Sequence, residues 1–125
     1  MTAKLTVGRI DATDFAPLPA HEGGYEPIDG DPDAQVHTLF ETEELWSGLA
    51  LIQPCTFRYP VEHLGSVHLI EGDATITTDG VSRTVAAGDV LYLTPGAVTT
   101  WEVISPIREF FVVRLDSRET VPAGQ

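Results

Sequence analysis

The sequence predicts an all-β protein whose strands close into a jelly roll or a small barrel. Short segments rich in β-branched and aromatic residues recur along the chain, and turn-forming pairs separate them. No stretch of ten or more residues shows a convincing helical period. About nine or ten short strands in one chain of this length are typical of a closed double-sheet architecture, which also removes exposed strand edges.

Residues 1–34 form an irregular arm rather than a domain. Four prolines and four glycines within this stretch forbid long regular elements. The stretch nevertheless contains apolar side chains such as Leu5, Phe15 and Tyr25, which are too many for a disordered tail. We therefore expect the arm to pack on the barrel or on a partner subunit.

The barrel domain is predicted to span residues 35–116 and to begin with three strands. Residues 35–41 place apolar side chains on both faces, as a strand covered on both sides does. Residues 42–45 read as a turn or a short helical start. Strands 46–53 and 55–59 follow, and each ends at a proline, which cannot donate to an interior ladder.

The stretch from Gly72 to Trp101 contains four turn signals, and its Asp79-Gly80 pair is the strongest hairpin signal in the chain. Residues 74–78 and 82–85 flank that pair as predicted strands. Two more strands, 101–105 and 107–115, are predicted on either side of Pro106. Residues 117–125 form a polar tail.

Composition limits the partners and the compartment. Nineteen acidic and seven basic side chains give a net charge of −12, which repels nucleic acid and anionic membrane surfaces. No apolar run reaches the roughly 18 residues of a membrane span, and the N-terminus lacks the apolar core of a signal peptide. We expect a cytoplasmic protein with a small-molecule ligand. Cys55 is the only cysteine, so an intrachain disulfide and a thiolate zinc cage are both excluded.

Several separated patches together resemble the small single-domain cupins of the (S)-ureidoglycine aminohydrolase-like subfamily. The patches are residues 30–40, 46–50, 54–60, 69–80, 87–96 and 100–108. The resemblance implies an RmlC-like cupin jelly-roll β-barrel, commonly a homodimer, with a pocket inside the barrel.

The resemblance also shows where a metal site would lie. Metal-binding cupins place two histidines and a glutamate in a first motif and a histidine in a second, a set that suits Mn, Fe, Ni or Zn. The second-motif histidine position falls on Thr99. Counting back from Gly72, the glutamate position falls on Gly65, and the histidine positions fall on Tyr59 and Val61 or on Arg58 and Pro60.

An alternative alignment of the first motif starts from Tyr59-Pro60. It treats Gly65-Ser66 as an insertion, and it places His63 in the position of the usual glutamate. We prefer this alignment and expect no metal cofactor, although a divalent metal remains an alternative with His63 as a ligand.

The predicted site therefore contains two catalytic candidates and six ligand-binding candidates. Glu62 and His63 are the carboxylate and imidazole pair near the barrel mouth, and the competing interpretation is a polar loop. The ligand-binding candidates are Arg58, Tyr59, Val67, Leu69, Thr99 and Trp101. Arg58 would bind an anionic group or form a surface ion pair, and Trp101 would line the pocket or fill the core.

Three functional hypotheses follow. The first is a cupin with a small-molecule pocket and a degenerate metal site, acting as an enzyme on a small polar metabolite. The second is a ligand-binding or sensing module without catalysis. The third is a metal-dependent enzyme in which His63 is joined by His21 or His37 from elsewhere in the chain.

Overall fold

The computed structural model describes residues 4–115, which form nine strands and one short helix. The elements are β1 (Ala16–Pro17), α1 (Ala20–Gly23), β2 (Glu26–Asp29), β3 (Gln35–Glu41), β4 (Leu45–Ile52), β5 (Cys55–Pro60), β6 (Gly65–Thr78), β7 (Val81–Ala86), β8 (Val90–Leu93) and β9 (Val98–Arg114). The predicted all-β class is confirmed. The predicted polar tail, 117–125, lies outside the described residues.

Two long antiparallel strands, β6 and β9, form the centre of the sheet. On the far edge of β9, its N-terminal half pairs with β5 and its C-terminal half pairs with β4. Strands β3 and β1 extend the sheet beyond β4, and β2 extends it beyond β5. Strands β7 and β8 pair with the outer edge of β6. The long central strands thus belong to both halves of one curled sheet.

The curl is concentrated where β6 passes Gly72. The register between β6 and β9 shifts three times between Leu69 and Ala74, opposite the stretch from Val103 to Glu109. Gly72 has a positive φ of 94°, which is open to glycine but strained for other residues. The backbone N–H of Asp73 donates to Ser105 Oγ across the bend at 3.1 Å. The bend brings the inner faces of the two halves together.

The predicted strand break at Pro106 is wrong. Strand β9 continues from Val98 to Arg114 through this proline. Pro106 lies within the irregular region and takes no place in the paired register, so its missing N–H disturbs no regular ladder.

The predicted hairpin at Asp79-Gly80 is confirmed. Both residues have positive φ, 53° and 77°, as the two central positions of a type I′ turn require. Strands β6 and β7 pair on either side of the turn, from Thr78 with Val81 to Asp73 with Ala86.

The core lies between the two halves of the sheet. Strand β9 alternates, so that Trp101 and Val103 from its first half and Ile107 and Phe111 from its second half are all buried. They pack in one cluster with Phe57 and other inward residues of β4, β5, β6 and β7. The alternation seen here also decides which polar side chains enter the interior.

The arm contributes to both halves of the sheet. Strand β1 pairs with β3, and β2 pairs with β5. The Arg108 guanidinium donates to the carbonyls of Ile10 and Ala12 at 2.6 and 2.7 Å, which fixes the arm on the outer face of β9. None of the described residues forms a helix that is long and apolar enough to cross a membrane.

Candidate functional site

The space between the two halves of the sheet contains a small cavity of about 70 Å³, which we call the lumen. Its polar lining includes Tyr25, Tyr59, His63, Ser66 and Glu109, and its remaining lining is mainly apolar. A wider space of about 490 Å³, the vestibule, adjoins it. The vestibule is lined by His21, Glu22, Gly23, Gly24, Tyr25, Glu26, Trp46, Tyr59, Pro60, Glu62, His63, Val113 and Leu115. Because six residues line both spaces, the vestibule is the entrance to the lumen.

Six aromatic side chains line the lumen, including both tryptophans of the chain. The rings of Phe57 and Trp101 stack with centroids 5.6 Å apart, and Tyr25 packs edge-on against Phe57 at 4.9 Å. On the other side, Trp46 packs edge-on against Phe111 at 4.8 Å. Mutual packing of this kind fixes the ring positions. The lumen is therefore a rigid aromatic chamber.

Both indole N–H groups are already used within the protein. Trp101 Nε1 donates to Thr99 Oγ1 at 3.0 Å, and Trp46 Nε1 donates to Thr38 Oγ1 at 2.9 Å. The two indoles therefore present carbon surface, rather than donors, to a molecule in the lumen.

Glu109 is the central polar group of the lumen. Strand alternation points it inward from β9, between Ala50 of β4 and Leu69 of β6, and only 6% of its surface is exposed. Its Oε1 has no hydrogen-bond partner among the described residues. Burial raises the pKa of this carboxyl from 4.5 to about 8, because an apolar surrounding penalises the charged form. At pH 7 the side chain is therefore mostly protonated.

Two tyrosines share this environment. Burial, followed by the nearby Glu109, raises the pKa of the Tyr25 phenol well above its usual range. Burial, Glu109 and Glu62, in that order, raise the pKa of the Tyr59 phenol. Both hydroxyls therefore stay protonated and can donate or accept a hydrogen bond near Glu109.

The single turn α1 and the two glycines at its end shape the mouth of the vestibule. A Cβ at Gly23 would lie 2.5 Å from the Tyr25 ring, and a Cβ at Gly24 would lie 3.2 Å from the Tyr59 ring. Gly24 also caps α1 with a positive φ of 82°. The glycine pair thus allows the arm to lie directly against both tyrosines.

The vestibule is acidic. Glu22, Glu26 and Glu62 line it, and no lysine or arginine lines either space within the described part of the chain. Arg58 is close by but exposed, and its Nη1 donates to Glu26 Oε1 at 2.9 Å. The charge around the entrance is therefore negative overall.

The structure brings together only some of the predicted site residues. Tyr59, His63, Val67 and Trp101 line the lumen, and Glu62 lines the vestibule. Leu69 and Thr99 are buried beside the lumen but are not among its lining residues, and Arg58 points to solvent. The roles assigned to these residues stay predictions.

The remaining histidines are dispersed. His21 lines the vestibule, whereas His37 donates from Nδ1 to the Asp14 carbonyl at 2.8 Å on the arm, and His68 is exposed on β6. His37 and His68 therefore do not join His63 at the lumen.

The lumen does not fit the metal-binding set that the fold family uses. Thr99, at the position of the second-motif histidine, donates its hydroxyl to the Tyr59 carbonyl at 2.8 Å and accepts from Trp101. Within residues 4–115, no three His, Cys, Asp or Glu side chains are grouped so that they could hold an ion.

The sequence prediction missed Glu109 and Tyr25. The available signal was alternation in β9, because Ile107, Phe111 and Val113 define an apolar face on which Glu109 also falls. An acidic residue on the inward-facing side of an otherwise apolar strand indicates a candidate functional site. Tyr25 gave no such signal, since it reaches the lumen from the arm.

The curled antiparallel sheet and its enclosed lumen define a jelly-roll protein of the cupin type. The chain belongs to the EutQ-like cupin domain family, whose model matches residues 42–111. This family confirms the predicted cupin fold, while the finer resemblance to the ureidoglycine aminohydrolase-like subfamily stays a prediction. No curated protein sequence matches the chain.

Solved structures with the same fold have low sequence identity to this chain. The EutQ protein of Clostridium difficile is 18% identical with a TM-score of 0.60, over 71% of this chain and 68% of that chain. An RmlC-like cupin from Shewanella frigidimarina is 17% identical with a TM-score of 0.60, over 78% and 87%. KdgF from Halomonas sp. is 13% identical with a TM-score of 0.60, over 77% and 93%. These similarities show the fold.

Proposed function

We propose that the protein binds a small polar metabolite in the lumen, against Glu109, without a metal ion. The observation that carries this proposal is a carboxyl group that is buried, lacks a hydrogen-bond partner on Oε1 and faces a cavity with an entrance. Leaving such a group unsatisfied costs stability. A bound molecule that pairs with Glu109 would satisfy it.

The shape of the site supports a small ligand. A compact head group fills the lumen, and any further part of the molecule lies in the vestibule, where Tyr59 and Glu62 are available. Apolar walls with a few convergent polar groups are typical of small-molecule sites. The resemblance to aminohydrolase-like cupins also favours a small polar metabolite.

Catalysis by proton transfer is the second candidate function. A carboxyl whose pKa is raised to about 8 can both give and take a proton near neutral pH. His63 and Tyr59 line the same cavity and supply further proton-transfer groups. In this alternative, Glu109 is the acid or base, and the predicted pair Glu62 and His63 assists from the mouth.

Binding can be measured directly, because both tryptophans line the lumen. We expect some members of a panel of neutral, cationic and anionic solutes of at most about ten non-hydrogen atoms to change the tryptophan emission. Ala50→Leu, which adds methyl groups inside the lumen, is expected to abolish these changes. Ala86→Leu, on an exposed position of β7, is expected to preserve them.

Two further measurements separate the alternatives. Proton NMR of each bound solute shows whether it is chemically changed, and a change that Glu109→Gln abolishes makes the protein an enzyme. Elemental analysis is expected to find less than about one-tenth of a metal ion per chain after growth with Mn, Fe, Ni and Zn. A stoichiometric metal, or emission changes that persist in Ala50→Leu, would contradict the proposal.

We also propose that the protein is a homodimer, as the resemblance implies. Edge strand β8 exposes Val90 and Tyr92, the latter to 77%, which is an apolar surface that a second copy would cover. Light scattering at micromolar concentration is expected to give twice the 13.5 kDa mass of one chain. A mass near that of one chain would contradict the dimer. The cytoplasmic location stays a prediction.

A further inference from the structure

We infer that the ligand is a small organic cation, with an ammonium or alkylated ammonium head group that lies in the lumen beside the Glu109 carboxylate. This inference rests on the proposed function, because it specifies the chemical class of the molecule that the lumen binds.

Glu109 has no lysine or arginine as a charge partner among the described residues that line the lumen. A buried carboxylate is normally paired with a cation, because an unpaired charge in an apolar interior is costly. No lysine or arginine lines the lumen in the described part of the chain, and Oε1 of Glu109 makes no hydrogen bond there. A cationic head group would provide the pairing charge that no lysine or arginine among the described lining residues supplies.

The walls of the lumen are largely aromatic. Aromatic rings attract cations through their quadrupoles, and ring-lined pockets recognise alkylated ammonium groups. Tyr25, Tyr59, Trp101 and Trp46 all line the lumen, and both indole N–H groups are bonded elsewhere. An anion in the lumen would face the Glu109 carboxyl, whereas a cation would find its counter-ion there.

The vestibule, through which a ligand enters, is lined by carboxylates. Glu22, Glu26 and Glu62 line the vestibule, and Glu26 is paired with the guanidinium of Arg58. These carboxylates and the net charge of −12 raise the local concentration of cations and repel anions. They do not make a site on their own. They favour cations at the entrance to a lumen whose buried carboxyl, when ionised, has no lysine or arginine beside it among the described lining residues.

The state of Glu109 gives the inference a proton-linked signature. The acid is mostly protonated at pH 7 in the free protein, and pairing with a cation requires the carboxylate, so binding releases a proton. Affinity therefore rises with pH up to about 8. The other titratable groups that face the lumen are Tyr25, Tyr59 and His63, and Glu62 and Cys55 lie within electrostatic reach of the two phenols.

The test compares three molecules of the same shape and different charge by tryptophan emission at low ionic strength. They are 2-hydroxyethyl-trimethylammonium, its uncharged isostere 3,3-dimethyl-1-butanol and the anionic 3,3-dimethylbutanoate. At pH 9 we expect the cation to bind at least about tenfold more tightly than the alcohol. Lowering the pH to 6 should weaken binding of the cation by about 50- to 100-fold and leave binding of the alcohol unchanged.

Two matched variants assign the effect to the buried acid. Glu109→Gln keeps the shape of the protonated side chain and is expected to abolish both the preference for the cation and its pH dependence. Glu102→Gln makes the same change on the exposed face of β9 and should retain both. If the pH dependence persists in Glu109→Gln but disappears in His63→Gln, the charge partner is His63 and the inference is overturned.

The failure of this inference differs from the failure of the proposed function. Suppose that the alcohol or the anion binds more tightly than the cation and that Ala50→Leu blocks this binding. The inference of a cationic ligand is then overturned, but the proposal that the lumen binds small molecules stands. If neither this cation nor tetramethylammonium binds, the inference of a cationic ligand is also overturned. The proposed function itself falls when no solute of any charge binds in the lumen, when emission changes persist in Ala50→Leu, or when a stoichiometric metal is found.

Discussion

Glu109→Gln is expected to make the protein more stable than the wild type at pH 9 while leaving the two nearly equal at acidic pH. Burial raises the pKa of Glu109 from 4.5 to about 8 in the folded protein. Between these values the unfolded chain releases a proton that the folded protein retains, so the stability of the wild type falls as pH rises through this window. Glutamine does not titrate, and its stability lacks this component.

The expected size of the difference follows from the width of the window. From pH 5.5 to pH 9, the wild type should lose about 3 kcal/mol relative to Glu109→Gln, at about 1.4 kcal/mol per pH unit up to pH 8. Urea unfolding at pH 5.5, 7 and 9 measures this difference. Glu102→Gln, on the exposed face of the same strand, should follow the wild type. Parallel pH profiles for the wild type and Glu109→Gln would show that Glu109 is not held in an apolar, unpaired state.

A large gain from one conservative substitution would also bear on function. Natural chains keep destabilising buried groups mainly where those groups bind or react, since mutation readily removes them elsewhere. A protein that is more stable without its lumen carboxyl has a site maintained at a cost to stability. This argument applies equally to the binding protein and to the enzyme of the two functional candidates.

The sequence predicted those parts of the fold that depend on local chemistry. The Asp79-Gly80 turn needs two positive φ angles, and only a few residue types tolerate them, so the hairpin is legible from the pair itself. Pro54 and Pro60 likewise mark strand ends. Pro106 was misjudged because the same residue is tolerated inside a strand where a bulge removes the need for its N–H, and bulges depend on the neighbouring strand.

The site was predicted less completely because its residues converge from distant positions. His63, Tyr59 and Trp101 were found through motif positions on the barrel strands. Tyr25 enters from the arm, next to a glycine pair whose close approach to Tyr59 is visible only in three dimensions. Alternation along β9 places Glu109 on the same face as its apolar neighbours. It shows that Glu109 enters the interior only once the inward face of β9 is known.

Gly72→Ala is expected to be the most damaging single-methyl substitution in the sheet. A Cβ at this position would lie 2.3 Å from the Pro106 carbonyl oxygen and 2.9 Å from Ile107 Cα, and both are backbone atoms that cannot rotate away. The φ of 94° adds the strain that a side chain meets in this conformation. Together these effects should cost about 3–5 kcal/mol of unfolding free energy.

Gly80→Ala is the matched control, because it adds the same methyl group at a positive φ of 77° with no atom within 4 Å. It should cost only about 1–2 kcal/mol, the backbone strain alone. The difference between the two variants in urea unfolding therefore measures the close approach of β6 and β9 at the bend. Because this bend brings the two halves of the sheet together around the lumen, Gly72→Ala should also red-shift the emission of Trp46 and Trp101, whereas Gly80→Ala should not. Equal losses of stability in the two variants would show that the strands do not approach closely at Gly72.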